Sequence, residues 1–181
     1  MILIIGHSDL GRALAKQLPN TITVGKPEYN LLVKEDCDRL VADYNPDVVV
    51  NTVALNQTHS EWDILTVNYV SIAYVTMKLY EKMSAGHIIN ISSTSTYWPS
   101  YPGIDNGRLA YNISKESLSN FGKHFNRKIV DDNRPVTVSN IELGKFNSKF
   151  NNYAGGMTVE RAADIVAGCI NNPVTQISVI R

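Results

Sequence analysis

The sequence predicts an α/β protein in which a parallel sheet is covered by helices on both faces. Short apolar runs alternate with amphipathic segments along the chain, which is the pattern of parallel strands joined by crossover helices. The segment DVVVNTV at 47–53 is apolar over most of its length, which indicates a strand buried on both faces. The length of 181 residues, 44% of them hydrophobic, suits a single domain over 1–181 with its own core.

The predicted strands share aliphatic and β-branched residues bounded by turn residues. They are expected at 2–5, 21–24, 47–53, 87–92, 136–143 and 176–180. The segment EYNLL at 28–32 is a candidate for a further, vestigial strand. The sequence therefore predicts six to seven strands, with the region between the second and fourth strand positions abbreviated.

The predicted helices carry recognisable start and stop signals. The first ends before Pro19, the second ends before Pro46, and Ser60 opens the third with the capping box SEWD. Gly86 is expected to end that third helix. The helices are expected at 10–18, 33–44, 60–83, 109–130 and 158–170, with a loop rich in Ser, Pro, Tyr and Gly at 93–107.

The composition argues against several classes of partner. Basic and acidic residues balance at 17 each, so charge gives no reason to expect a nucleic acid or a membrane surface. The histidines and the two cysteines, Cys37 and Cys169, show no metal-ligand spacing, and no metal is expected. No apolar run approaches a membrane span and no signal peptide is recognisable, so a reduced, cytoplasmic protein is expected.

The segment IIGHSDLGRAL, at the end of the first predicted strand, has the spacing G-x-S-x-x-G. Gly6 permits a tight turn, and the following helix offers free N–H groups and a positive dipole to a pyrophosphate. Ligands in such sheets bind beyond the carboxyl ends of the strands, so this turn predicts a Rossmann-like dinucleotide site. The residues expected at the cofactor here are Gly6, His7, Ser8, Asp9, Leu10 and Gly11.

The end of the second strand bears on the choice between NAD and NADP. An acidic residue there would bind the ribose 2′-hydroxyl of NAD, but the strand continues as VGKP, with no acid before Glu28. Lys26 and Arg12 are candidates to face a 2′-phosphate instead. NADP(H) is therefore favoured over NAD(H), although Glu28 is near enough in sequence to turn toward the ribose.

Two Tyr-x-x-x-Lys pairs are candidates for proton transfer, Tyr111 with Lys115 and Tyr74 with Lys78. Residues four apart share a helix face, and an ammonium near a phenol stabilises the phenolate. A free tyrosine has a pKa of about 10, and such stabilisation would bring it closer to neutral pH. Only Tyr111 opens a helix shortly after a Ser-ended strand, IINISS at 88–93, so the first pair is favoured.

With these features in order, the chain resembles the short-chain dehydrogenase/reductase family. The matching segments are the glycine turn, NTVA at 51–54, VNYV around Asn68, IINISS at 88–93, YNISK at 111–115 and IELGKFNS at 141–148. There is also some resemblance to the N-terminal domain of the dTDP-4-dehydrorhamnose reductases. Leu143 stands where the family has Pro, and the 37 residues after Gly144 leave no room for that branch's sugar-binding domain.

The resemblance implies an NAD(P)(H)-dependent oxidoreductase that transfers hydride between the nicotinamide and a small carbonyl or alcohol. Tyr111 would be the general acid/base, Lys115 would tune it and bind ribose, and Ser93 would bind the substrate oxygen. Thr94 and Ser95 are alternatives to Ser93, because the gap before Tyr111 is longer than in shorter-loop members of the family.

The resemblance also implies further contacts. Asn68 would hold a proton-relay water. The remaining cofactor contacts would be Lys26, Asn30, Asn51, Val53, Ala54, Lys115, Gly144 and Ser148, and the substrate would meet Ser93, Trp98, Tyr101 and Phe146.

Two other functions stay open at this point. One is a dinucleotide-binding sensor or interaction protein without chemistry, which the shortened chain and the missing Pro favour. The other is a sugar-nucleotide reductase whose sugar site is completed by a partner subunit. By analogy with the family, a homodimer or homotetramer through the helices at 60–83 and 109–130 is expected.

Overall fold

A computed structural model describes residues 1–97 and 105–179. These residues form a six-stranded sheet in which every neighbouring pair is parallel. The strand order across the sheet is β2-β1-β3-β4-β5-β6. The strands are β1 (Ile2–Ile5), β2 (Thr21–Val24), β3 (Val48–Asn51), β4 (Gly86–Ser93), β5 (Val136–Leu143) and β6 (Gln176–Val179).

Helices connect successive strands, as the alternating pattern predicts. They are α1 (Asp9–Gln17), α2 (Lys34–Asp43), α3 (Glu61–Leu65), α4 (Ile72–Lys82), α5 (Asn106–Asp132) and α6 (Val159–Asn171). A π-helical turn, Thr66–Ser71, joins α3 to α4, so that the third predicted helix is continuous but locally widened. Short 3₁₀ turns follow β4 at Thr94–Tyr97 and precede α6 at Lys149–Asn151.

Two apolar layers cover the sheet, one on each face. Successive strand residues point to opposite sides, so that Leu3 packs toward α2, α4 and α5, while Ile4 packs toward α1 and α6. Both residues are fully buried, as are Val49 and Val50 of the central strand β3. The doubly wound α/β architecture predicted from the sequence is therefore confirmed.

Two details of the sequence prediction are wrong. Residues 28–32 form turns rather than a strand, so β2 is an edge of the sheet. Tyr29 is buried there, and its hydroxyl donates to Asp43 at 2.7 Å, which folds the segment back onto α2. Gly86 does not end the third helix, because α4 stops at Lys82 with Met83 already extended, and Gly86 begins β4.

Among the residues that the structure describes, no helix combines the length and the apolar character needed to cross a bilayer.

Candidate active site

A large cleft opens at the carboxyl ends of the central strands, where the glycine turn, the loop after β3, the end of β4 and the loop after β5 meet. Its volume is about 1090 Å³. In a parallel sheet this edge is where ligands bind, because all the strand ends and the following loops converge there. Of the predicted site residues, those on its wall are His7, Ser8, Asp9, Leu10, Ala54, Ser93, Tyr111, Lys115, Gly144, Phe146 and Ser148.

The turn after β1 is built on Gly6, whose φ of +119° is rarely accessible to residues with a side chain. A Cβ at Gly6 would lie 2.7 Å from the backbone nitrogen of Val53, so the first and third strand loops touch through this glycine. Ser8 caps α1, since its Oγ accepts the N–H of Gly11 at 3.0 Å. The same hydroxyl donates to Thr52 Oγ1 at 3.1 Å, which ties the turn to the loop after β3.

The first turn of α1 carries an acidic residue, Asp9, whose charge is neutralised by Arg12. Asp9 lines the cleft, but its carboxylate pairs with the Arg12 guanidinium and accepts the backbone N–H of Lys149 at 2.7 Å. Arg12 also donates to the carbonyl of His7 at 2.6 Å. A helix N-terminus with a paired acid and an arginine beside it fits the diphosphate of a dinucleotide, and the cleft continues from there toward Tyr111.

Three predicted catalytic residues converge at the other end of the cleft. The hydroxyl of Tyr111 is hydrogen-bonded to the side chain of Ser93, at the end of β4. Lys115 is 2% exposed, and its ammonium lies 6.0 Å from the centre of the Tyr111 ring and donates to the carbonyl of Ile91 at 2.8 Å. The phenol of Tyr111, the hydroxyl of Ser93 and the ammonium of Lys115 therefore lie close together at this end of the cleft.

The pKa values at this point differ from the expectation that Lys115 lowers that of Tyr111. Burial raises the pKa of the Tyr111 phenol to about 12, and the Ser93 hydrogen bond opposes that rise only in part. Burial also lowers the pKa of the Lys115 ammonium to about 8. Desolvation dominates because the ammonium is directed to the Ile91 carbonyl rather than to the phenol oxygen. In the chain alone, Tyr111 is therefore a protonated phenol at neutral pH.

Asn68 lies in the π-helical turn and is fully buried. Its side chain accepts the N–H of Leu55 at 2.7 Å, donates to the carbonyl of Leu55 at 2.9 Å, and donates to Ser114 Oγ at 3.3 Å. Ser114 in turn donates to the carbonyl of Tyr111 at 2.7 Å. The Asn68 side chain thus links the loop after β3 to α5.

Several predicted cofactor residues lie away from the cleft wall. Asn51 is 1% exposed, and its amide donates to Asn90 at 2.6 Å inside the sheet. The side-chain oxygen of Asn30 accepts the N–H of Leu32 at 3.3 Å and so stabilises the turn after β2. Lys26 is exposed at the same turn. Three other predicted cofactor residues pack within the turn after β1 and do not line the cleft. They are Gly6, Gly11 and Val53.

The rival pair is placed quite differently. Tyr74 donates its hydroxyl to Asp38, and the Lys78 ammonium lies 2.8 Å from Glu81. Neither residue lines the cleft. Of the two pairs with identical spacing, Tyr111 and Lys115 lie on the cleft wall and Tyr74 and Lys78 do not.

Two substrate-wall predictions, Trp98 and Tyr101, lie outside the described residues. Phe146 does line the cleft, and the structure adds Phe150, whose ring centre is 5.8 Å from that of Tyr111. Thr52 was also missed, although it falls within the NTVA segment. Nothing in the local sequence distinguishes Phe150 from other loop aromatics, since its contact with Tyr111 depends on how the loop after β5 returns over α5.

Comparison with solved structures finds the same fold in short-chain dehydrogenases/reductases, which confirms the resemblance at the level of the fold. The 3-alpha-hydroxysteroid dehydrogenase from Pseudomonas sp. B-0831, solved with NADH, aligns with a TM-score of 0.80 at 16% identity, over 99% of this chain and 94% of that one. A short-chain dehydrogenase/reductase from Vibrio parahaemolyticus gives 0.77 at 19% identity, over 100% and 96%.

A GDP-L-fucose synthetase from Naegleria fowleri also aligns, with a TM-score of 0.77 at 16% identity, over 98% of this chain and 75% of that one. The sequence matches no protein-family model and no curated protein. At these identities the likeness defines a fold, and the function has to be argued from the site.

Proposed function

We propose that the protein is an NAD(P)(H)-dependent oxidoreductase of the short-chain dehydrogenase/reductase type, which reduces a small carbonyl or oxidises the corresponding alcohol. The observation that supports this most strongly is the hydrogen bond between Tyr111 and Ser93 in the cleft. Eighteen positions separate these residues in sequence, yet β4 and α5 bring their hydroxyls together. A carbonyl oxygen bound between the two hydroxyls would accept hydrogen bonds from both.

The residues of the chain account for the proton in this reaction. When bound, the nicotinamide supplies the hydride to the carbonyl carbon, or accepts it in the reverse direction. Tyr111 donates its phenolic proton to the developing alkoxide, and it is protonated for this role at neutral pH. Ser93 orients the oxygen, and the Lys115 ammonium stabilises the phenolate that the transfer leaves behind. The phenolate is then reprotonated from solvent.

The cofactor preference is part of this proposal, and NADP(H) is favoured. Lys26 is exposed at the turn after β2, where the 2′-phosphate is expected, and Arg12 lies on the cleft wall, although its guanidinium also pairs with Asp9. Glu28 is the competing feature, because its carboxylate lies 3.6 Å from the imidazole of His7. Melting temperatures with each reduced cofactor would test the choice, since a ligand that binds the native state stabilises it. A larger rise with NADH than with NADPH would refute the NADP(H) preference.

Tyr111→Phe tests the chemistry directly. It removes one hydroxyl from the site and leaves the ring, so cofactor binding should persist while turnover of a responsive carbonyl falls by about 10²–10⁴-fold. Tyr74→Phe is the matched control, because it removes a hydroxyl from the other pair. Unchanged turnover in Tyr111→Phe, or an equal loss in Tyr74→Phe, would contradict the assignment.

A non-catalytic dinucleotide sensor is the competing function. It is disfavoured by the hydrogen bond between the side chains of Tyr111 and Ser93, which cofactor binding alone does not need. Nicotinamide fluorescence, followed with and without a panel of ketones and aldehydes, would distinguish the two. Cofactor binding without oxidation of NADPH or NADH by any member of the panel would favour the sensor.

Self-association through the two long helical segments is a further part of the proposal. Large apolar side chains are exposed on both segments, including Trp62 at 76%, Val70 at 54% and Leu109 at 47%. Burying them against a second copy would remove apolar surface from water. Light scattering at micromolar concentration should show a dimer or tetramer, and a strict monomer would refute this part.

Both cysteines are free and buried, which accords with a cytoplasmic location.

A further inference from the structure

We propose that Arg108 forms an anion-binding subsite next to Tyr111, and that the substrate is a small carbonyl compound carrying a carboxylate or a phosphate. The inference rests on the proposed function, because it assigns a group of the substrate that Tyr111 reduces. Arg108 lies on the wall of the same cleft as Tyr111. Its side chain is exposed to that cleft.

Helix geometry places Arg108 close to the reacting group. The cleft residues of α5 are spaced i, i+3, i+4 and i+7, which puts them on one face of the helix. Residues three apart have Cβ atoms about 5–6 Å from each other. A guanidinium at 108 is therefore within reach of a group a few bonds from the carbonyl held by Tyr111. The four residues of this face are Arg108, Tyr111, Asn112 and Lys115.

The start of α5 is held firmly in place. Asp105 caps the helix by accepting the backbone N–H of Arg108 at 2.7 Å. Gly107 packs directly on the loop after β3, since a Cβ there would lie 2.3 Å from the carbonyl oxygen of Gln57. Arg108 is consequently presented from a fixed turn, beside the part of the cleft wall formed by Asn56, Gln57 and Thr58.

The guanidinium of Arg108 is not neutralised by an acidic side chain within the described part of the chain. Arg12, Arg39 and Arg127 each pair with an acid, whereas Arg108 forms no ion pair with any residue in 1–97 or 105–179. The neighbouring residues 98–104 contain no Asp or Glu in their sequence.

The whole cleft has an excess of positive charge. Asp9 is the single carboxylate among the described lining residues, and it is already paired with Arg12. The cationic lining residues are Arg12, Arg108, Lys115, Lys145 and Lys149. Such a cleft attracts anions, and a guanidinium binds carboxylate and phosphate oxygens through two parallel hydrogen bonds. The dinucleotide accounts for charge near α1, but Arg108 lies at the opposite, Tyr111 end.

The test compares anionic carbonyl compounds with neutral counterparts of similar size. Suitable pairs are pyruvate with pyruvamide, acetoacetate with acetoacetamide, levulinate with levulinamide, and dihydroxyacetone phosphate with dihydroxyacetone. The wild type should show a higher kcat/KM for the anionic member of at least one pair, which also separates carboxylate from phosphate. Arg108→Gln should lower that anionic-to-neutral ratio by about 10- to 100-fold, the usual effect of losing a charge-assisted hydrogen bond.

Two further variants make the test specific. Arg161→Gln removes an exposed arginine from α6, outside the cleft, and should leave the ratio as in the wild type. Lys145→Gln removes another cation of the cleft wall. A wild type with no anionic preference, a preference that survives in Arg108→Gln, or one that is lost in Lys145→Gln instead would overturn the inference.

A second readout does not depend on turnover, so that failure of the proposed function and failure of this inference can be told apart. Melting temperatures of the NADP⁺-loaded protein are measured with oxalate, malonate or inorganic phosphate, against chloride at equal ionic strength. A rise in the wild type that is reduced in Arg108→Gln supports the subsite even if no carbonyl is turned over. Equal rises in both proteins, or none in the wild type, refute it.

Discussion

Lys115→Met separates the stability of this protein from its function. The Lys115 ammonium is buried at 2% exposure, and burial lowers its pKa from 10.5 to about 8. At neutral pH the native state therefore holds a charged ammonium that water would solvate better. Methionine fills a similar volume without that charge. We expect the variant to lose turnover. We also expect it to lose the part of the pH dependence of stability that comes from titration of Lys115.

The magnitude follows from proton linkage. Between pH 8 and 10.5 the unfolded chain binds more protons at this site than the native protein, so the wild type becomes more stable as the pH rises through that window. The difference between the two pKa values corresponds to about 3 kcal/mol, present as destabilisation below pH 8 and absent above 10.5. From pH 7 to 9.5, the free energy of unfolding of the wild type should rise by about 2 kcal/mol relative to Lys115→Met.

Urea unfolding followed by circular dichroism at pH 7 and 9.5 measures this difference. Lys123→Met is the matched control, because Lys123 is an exposed lysine on the same helix and its loss changes the net charge equally. The control should follow the wild type between the two pH values. If Lys115→Met also kept a constant offset from the wild type, the argument that burial destabilises the ammonium would be wrong.

Two other predictions concern His87 and Ser93. Burial lowers the pKa of His87 from 6.5 to about 4, so the unfolded chain binds the extra proton first and stability is lost as the pH falls through that range. The wild type should lose about 2 kcal/mol between pH 7 and 4.5 relative to His87→Gln, and parallel unfolding free energies would contradict this. Ser93→Ala should reduce turnover far more than Ser95→Ala, because Ser93 bonds the Tyr111 hydroxyl. Steady-state kinetics with one carbonyl substrate would show the reverse order if Ser95 were the catalytic hydroxyl.

The strands and helices could be predicted because their signals are local. The apolar run at 47–53 and the capping box at Ser60 are read over a few residues, and the structure confirms a strand and a helix there. The strand predicted at 28–32 was wrong because the apolar residues of this segment are buried by a turn that packs on α2, not by pairing in the sheet. Burial alone does not say whether a short apolar segment is a strand.

The sequence by itself determined the order of the elements, and with it the edge of the sheet where the glycine turn and the strand-end residues had to meet. It did not determine which Tyr-x-x-x-Lys pair faces that edge, nor that Ser93 would contact Tyr111 across eighteen positions. The tertiary structure decided both, since Tyr74 is held by Asp38 on the surface and Tyr111 by Ser93 in the cleft. Hydrogen bonds and desolvation depend on which side chains approach in space, and residue spacing along the chain does not specify that approach.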